Sequence, residues 1–461
     1  MDFLIRSKRI SNDSENLLTE IPLYDDDGPN LNFNNLPRGV FLKIAGYLSV
    51  KDRVRLERVN RDWQAVMLEQ WRHLRHISTE EFISEQREPE RALLYFKSLW
   101  KKIAPHVVSV SIWNSGVFRN KKAILQSLAQ LRPPHLRRLE LNKCSICSIP
   151  ALAGLAESLE ELRIDSFRNL FNVDMCLIHV LGSLLSQLTK LNHLDLPVDI
   201  QEPKFLLIVP QSLRTLKLRI SFKHGFNFFS EYRSNLAQIR TLDIKMDSFV
   251  PKPLYIDFSN FPNLTQLHLS YFTLEKVDCL HKLEQLEVLK LENCIGPDLL
   301  TIFRTLCNEQ HIFGKEISIL SISNLQKVLQ GKIWDNNMAN LASKVTHLEQ
   351  FSLGRRLRLD EKAAKSLSCR CRNLTHLDLA GFRLNNKVLE IFGYYCRNIE
   401  YLNLTGLKNV TSSGLERFLS HYPTDKMMLI KAHDSGILES NLSLFRCLYP
   451  SVVIHAGSTE Q

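Results

Sequence analysis

The pattern L-x-x-L-x-L recurs along most of this chain and constrains its fold more than any other feature of the sequence. Clear copies are Leu136-Leu139-Leu141, Leu159-Leu162-Ile164, Leu191-Leu194-Leu196, Leu213-Leu216-Leu218 and Ile239-Leu242-Ile244. They continue through Leu264-Leu267-Leu269, Leu286-Leu289-Leu291, Ile317-Leu320-Ile322, Leu348-Phe351-Leu353, Leu374-Leu377-Leu379 and Ile399-Leu402-Leu404. Weaker copies stand at Val107-Val110-Ile112, Met428-Ile430 and Ile454. The last two apolar positions of each copy lie two residues apart, which puts them on one face of a short strand. First anchors are 22 to 32 residues apart, enough for one strand and one return segment. A unit that small cannot bury its own apolar face, so successive units must stack.

The expected fold class is therefore α/β, with a leucine-rich-repeat solenoid of about 13 to 14 units over residues 106–461. Its sheet is parallel and curved, with helices or irregular segments outside. Fourteen strands at ~4.8 Å spacing give a concave arc of roughly 60 Å. Apolar residues at helical spacing predict helices in DMCLIHVLGSLLSQL, NNKVLEIFGYYCRN and SSGLERFLSHY. Between 197 and 263, Pro203, Pro210, Pro251, Pro253 and Pro262 interrupt any helical return. Nine of the 24 phenylalanines fall between Phe205 and Phe272, including Phe226, Phe228 and Phe229, and are expected to fill the convex side there.

Upstream of the repeats the character changes. Residues 1–33 carry three basic and seven acidic side chains, among them Asp25, Asp26 and Asp27, and read as a disordered acidic tail. Residues 34–72 read as a small helical module. Pro37 suits a first helical turn with Asn35 as its cap, and Val40, Phe41, Ile44, Tyr47 and Leu48 form one apolar face. A second helix begins at Ser49, with Leu56, Val59, Trp63, Val66 and Met67 at three- and four-residue steps. Two amphipathic faces in about forty residues are marginal for a self-sufficient core, which argues for docking on another chain. Residues 73–105 read as a stiff helical linker, with Leu93, Leu94, Phe96, Trp100 and Ile103 on one side of a helix from Glu90 to Ile103.

In order and spacing, Leu36-Pro37, Val40, Ile44, Tyr47-Leu48, Asp52, Leu56, Val59 and Trp63 resemble the F-box pattern. Gly39 stands where an acid is usual, Arg53 where Leu is common, and Asn60 where Cys or Ser is common. An F-box followed by leucine-rich repeats resembles the F-box/leucine-rich-repeat proteins over roughly residues 34–461. The resemblance implies the non-catalytic substrate-recognition subunit of a Skp–cullin–F-box ubiquitin ligase. Its F-box would dock on the Skp adaptor and, through it, on a cullin scaffold, while the repeats hold the protein to be ubiquitylated. The implied adaptor-binding residues are Leu36, Pro37, Val40, Ile44, Leu48, Leu56, Val59 and Trp63, with Trp63 alternatively holding the helices together and Asp52 capping or pairing locally. A scaffold that binds the adaptor without ligase activity is the alternative.

No enzymatic constellation competes with that reading. The chain has no phosphate-binding Gly-rich loop, no H-E-x-x-H and no serine elbow, and no cofactor or metal is implied. Cys144-x-x-Cys147 lacks a second pair, and most of the ten cysteines read as buried repeat positions. The net charge of +10 raises a nucleic-acid partner. The inward-facing strand positions balance, however, with Arg138, Arg163, Lys217, Arg219, Lys245, Lys290 and Lys431 against Glu140, Glu161, Asp165, Asp195, Asp243, Glu292 and Asp378. That balance argues against a nucleic-acid groove. Candidate substrate contacts on this face are Arg138, Lys217, Arg219, His268, Lys290, His376 and Tyr401. The basic excess gathers instead in Arg355, Arg356, Arg358, Lys362, Lys365, Arg370 and Arg372, expected to be a solvated return face. A mean hydropathy of −0.14 and short apolar runs exclude a helical membrane span, and the N-terminus lacks a signal-peptide pattern. Cytoplasm, nucleus or both is the expected location.

Overall fold

The structure is a computed structural model of the full chain. It describes residues 37–457 apart from 81–88, 114–120, 144–145, 167–173, 199–208, 221–235, 247–257, 273–277, 295–301, 303, 307–315, 324–331, 355–357 and 424–425. The acidic segment 1–33, Asn35, Leu36, Phe226, Phe228, Phe229, Arg355 and Arg356 lie outside the described residues. The chain divides into two compact units, Met1–His73 and Leu74–Gln461.

In the first unit three helices are described: α1 (Arg38–Tyr47), α2 (Val50–Leu56) and α3 (Arg61–His73). Pro37 is the residue before α1 rather than within its first turn, and its carbonyl accepts from the amides of Val40 and Phe41. Ser49 caps α2, its Oγ accepting from the Asp52 amide and donating to the Asp52 carboxylate at 2.7 Å. The single second helix expected from periodicity is two helices. Asn60 Oδ1 accepts from the Trp63 amide at 2.8 Å and starts α3, so the chain turns between Leu56 and Arg61. Asn caps a helix about as well as Ser does, which accounts for the residue found there. Arg53 donates to the carbonyls of Gly46 and Leu48, satisfying the C-terminal end of α1. The interior is closed by Phe41 against Trp63, edge-on with ring centroids 4.6 Å apart, and by Val66, Met67 and Trp71.

Among the described residues the second unit holds one sheet of fifteen parallel strands, ordered as they occur in the chain. They are β1 (His76–Ser78), β2 (Ser109–Ile112), β3 (Arg138–Leu141), β4 (Glu161–Ile164) and β5 (His193–Val198). Next come β6 (Thr215–Ile220), β7 (Thr241–Met246), β8 (Gln266–Ser270), β9 (Val288–Glu292) and β10 (Ile319–Ser323). The last five are β11 (Gln350–Leu353), β12 (His376–Asp378), β13 (Tyr401–Asn403), β14 (Met428–Lys431) and β15 (Val452–His455). The register places Leu139, Leu162, Leu194, Leu216, Leu242, Leu267, Leu289, Leu320, Phe351, Leu377 and Leu402 in one row across the sheet. Every anchor of the eleven clear copies is 2% exposed or less, so the repeated pattern is the core.

Residues 73–105 are not a linker. Leu74, Ile77 and Thr79 form a degenerate copy of the repeat pattern, and β1 pairs in parallel with β2. Thr79 holds the third anchor position fully buried, and its hydroxyl accepts from the Trp113 amide at 2.9 Å. The helix Pro89–Ile103 is the return segment of this first repeat, with Phe96, Leu99, Trp100 and Ile103 buried. A hydroxyl in place of leucine conceals the copy, and the described residues hold fifteen strands rather than fourteen.

Return segments form helices at Asp174–Gln187, Asn386–Tyr395 and Ser412–Ser420, as the periodicity predicts. Between 197 and 263 the described residues hold one 3-10 turn, Phe258–Asn260, and Leu236 is helical; most of the stretch lies outside the described residues. Phe258, Phe261 and Phe272 are buried and fill that side. Gly381 and Gly406 take φ of 72° and 78° at equivalent turns after β12 and β13, the left-handed conformation that favours glycine.

Candidate interaction surfaces

Two surfaces lack an internal explanation for their exposed groups, one on each unit. On the helical unit, Val40 is 38% exposed, Val59 62% and Tyr47 88%, although all three are large and apolar or aromatic. Pro37 is exposed, and Ile44, Leu48 and Leu56 are half-buried. Trp63 is 7% exposed and packed on Phe41, the placement of a residue that holds helices together. Asp52 stays local, bonded to Ser49 and paired with Arg55 at 3.3 Å; the Ser49 hydroxyl is the main group that holds its carboxyl below the ordinary range.

On the sheet, alternation sends every second strand residue out of the core face. One inward row runs Ser111, Glu140, Arg163, Asp195, Lys217, Asp243, His268, Lys290, Ser321, Ser352, Asp378, Asn403, Lys431 and His455. From β3 to β9 its charges nearly alternate, and many pair with one another. Arg163 reaches Glu140 at 3.8 Å and Asp195 at 3.2 Å. Arg219 bridges two strands away to Asp165 at 2.7 Å, touches Asp195 at 3.5 Å and donates to the Ile164 carbonyl. Arg138 pairs with Glu161 at 2.9 Å.

His268 sits between two carboxylates, Nδ1 at 3.3 Å from Asp243 and Nε2 at 3.4 Å from Glu292. Burial pushes its pKa down, but the hydrogen bonds and charges of Asp243 and Glu292 outweigh it and raise the pKa to about 9. The same contact holds Glu292 below the usual carboxylate range. His193 goes the other way, lowered chiefly by burial.

Beyond β9 the character changes. Ser321 and Ser352 occupy the positions where charges stand in the earlier strands. The neighbouring inward row turns from Arg138, Glu161 and His193 to Val288, Ile319, Gln350, His376, Tyr401, Leu429 and Val453. His376 stacks on Tyr401 with centroids 5.7 Å apart, and Lys431 lies over the Tyr401 ring at 5.5 Å. A hollow of about 180 Å³ opens here, with Ser321 and Ser352 among its lining residues. Of the sequence-predicted contacts, Arg138 and Arg219 are held in ion pairs, His268 is clamped between acids, and Lys290, His376 and Tyr401 gather at this hollow.

Among the described residues, Cys294, Cys371 and Cys396 are buried repeat positions. Cys294 donates to the Leu269 carbonyl at 3.5 Å, Cys371 to Val345 at 3.3 Å and Cys396 to Ser368 at 3.8 Å, each reaching the preceding repeat. Burial raises the Cys294 thiol to about 11 and Cys371 to about 12, and raises Cys396 further. Among the described residues no group of three or more His, Cys, Asp or Glu side chains could hold a metal ion. No described helix is long and apolar enough to cross a membrane. Arg358, Lys362, Lys365, Arg370 and Arg372 lie on or beside the return helix Glu361–Arg370, and all five are exposed.

Residues 33–76 match the family model described as F-box-like. No curated protein matches the sequence. Among solved structures, a leucine-rich-repeat protein of Leptospira interrogans aligns at 15% identity, covering 85% of this chain and 98% of that one, with a TM-score of 0.45. The yeast Rad7 and Elc1 complex aligns at 16% identity over 79% and 92%, with a TM-score of 0.46. An internalin from Listeria monocytogenes aligns at 15% identity over 89% and 94%, with a TM-score of 0.37. With eleven clear copies of the repeat pattern buried as a parallel sheet, and an F-box-like match immediately before it, the chain has the two-part architecture of the F-box/leucine-rich-repeat proteins.

Proposed function

We propose that this chain is the non-catalytic substrate-recognition subunit of a Skp–cullin–F-box ubiquitin ligase, acting in the cytoplasm, the nucleus or both. Its helical unit docks on the Skp adaptor and thereby on the cullin scaffold, and its repeats hold the protein to be ubiquitylated. The observation that carries this reading is the exposure of Val40, Tyr47 and Val59 on a unit whose interior is already closed by Phe41, Trp63 and Trp71. Exposed apolar side chains beside a complete core have no role in folding, and they supply the desolvation that association needs. Val40 and Val59 are the residues expected to face the adaptor, joined by Pro37, Ile44, Leu48 and Leu56.

Co-expression with a Skp adaptor tests it. The wild-type chain should co-purify with the adaptor and, when cullin and its ring subunit are added, support ubiquitin transfer. Val40→Asp with Val59→Asp should abolish co-purification while leaving the melting temperature within 2 °C of wild type. Adaptor binding without cullin recruitment or transfer would favour the non-ligase scaffold. Undiminished adaptor binding by the double variant would refute the docking face.

A further inference from the structure

The inward face of the repeats is divided into a half that satisfies itself and a half that does not. From β3 to β8, Arg138, Arg163, Arg219 and His268 are engaged by acids on or beside strands one or two away. Covering such a network with a partner removes water from paired ions and gains little in return. At β10 and β11 the network stops, because Ser321 and Ser352 carry no charge and are too small to fill the row. The result is the hollow of about 180 Å³, with Ser321 and Ser352 on its floor, Ile319, Gln350, His376 and Tyr401 around them, and Lys290, Glu292 and Asp378 also in its lining.

We infer that this hollow is where the repeats anchor a protein partner, and that the anchor is a single bulky uncharged side chain, aromatic or branched aliphatic, inserted between β10 and β13. Size sets the first limit. At about 180 Å³ the hollow is on the scale of one large side chain and smaller than a helix. Charge sets the second. Lys290, Glu292 and Asp378 line the hollow and Lys431 lies over the Tyr401 ring beside it, two cations against two carboxylates. These charges balance, so neither a phosphate nor a carboxylate is drawn in. The wall is fixed in advance, since the His376 ring stacks on Tyr401 and Lys431 covers the same ring. A pre-ordered aromatic wall beside a small-residue floor is the arrangement in which an inserted side chain carries most of the binding energy.

This inference rests on the receptor reading but has its own test. A phage-displayed library of random 12-residue peptides is panned against the full chain, and enriched peptides are measured by fluorescence anisotropy. Enriched peptides should share a bulky uncharged residue whose replacement by Ala weakens binding at least tenfold. Ser352→Trp, which fills the hollow, and Ser321→Asp, which charges its floor, should each weaken binding at least tenfold with unchanged melting curves. Arg138→Ala, at the self-paired end, should leave affinity within twofold. Failure to enrich any peptide, enrichment of peptides whose shared residue is charged, or affinities unmoved by both serine variants would overturn the inference. Adaptor co-purification is read on the same preparations. Its loss in the wild-type chain would sink the ligase reading while leaving the peptide result to decide this one.

Discussion

His268 makes the stability of the repeat array depend on pH in a direction that the structure fixes. The imidazole is held between Asp243 and Glu292, and its pKa rises from 6.5 to about 9. A group whose pKa is raised on folding stabilises fully below its unfolded value and loses that contribution as pH rises through its folded value. The window therefore runs from about pH 6.5 to above pH 9. At 1.36 kcal/mol per pH unit the full shift would amount to about 3 kcal/mol. The ring is 30% exposed and its partners 28% and 41%, so solvent screening reduces the expected effect to about 1 kcal/mol. Equilibrium urea denaturation of wild type and His268→Gln at pH 6 and pH 10 isolates it. The variant should be destabilised at pH 6 by about 1 kcal/mol more than at pH 10, and high salt should shrink the difference. An equal loss at both pH values would mean that the ring acts by packing alone, and the charge argument would fail.

Three further outcomes follow from buried geometry. Trp63→Ala removes the ring that Phe41 packs against and should cost about 3–5 kcal/mol, enough to unfold the helical unit, read as lost protection of residues 38–73 in hydrogen exchange. Gly414→Ala would drive a Cβ into the Asn386 side chain and break its reciprocal bonds with Thr411, at a cost of about 1–3 kcal/mol measured by urea denaturation. Under native conditions a thiol reagent at pH 8 should label exposed Cys447 first and leave Cys294, Cys371 and Cys396 unmodified until the array unfolds, as peptide mass spectrometry would report.

What could be read directly was whatever the core repeats. Leu136 through Leu404 announce the sheet because each buried anchor is an apolar residue at a fixed interval. β1 is not legible in the sequence because Thr79 replaces leucine with a hydroxyl that finds a backbone donor. The break between α2 and α3 was hidden for a related reason: Val59 and Trp63 keep the helical interval while Asn60 ends one helix and begins another. The inward charges could be counted as balanced from the strand pattern alone. Their pairing could not, because Arg219 reaches Asp165 two strands back, and only the register brings those side chains together. The hollow was invisible for the same reason, since two serines mean nothing until they occupy neighbouring positions in a row of charges.

The first repeat also determines where the array can be cut. A fragment begun at residue 106, where the repeat pattern first shows itself, would strip β1 from β2 and leave Ser109–Ile112 as a raw sheet edge. Such an edge offers unpaired amides and carbonyls to the next chain it meets. It would also lose the helix that carries Phe96 and Trp100, leaving neighbouring apolar surface without its cover. A three-residue strand with a polar third anchor is a poor repeat but a short edge, and Thr79 ties it to the Trp113 amide of the next repeat. A fragment begun at Leu74 should stay monomeric, whereas one begun at residue 106 should aggregate.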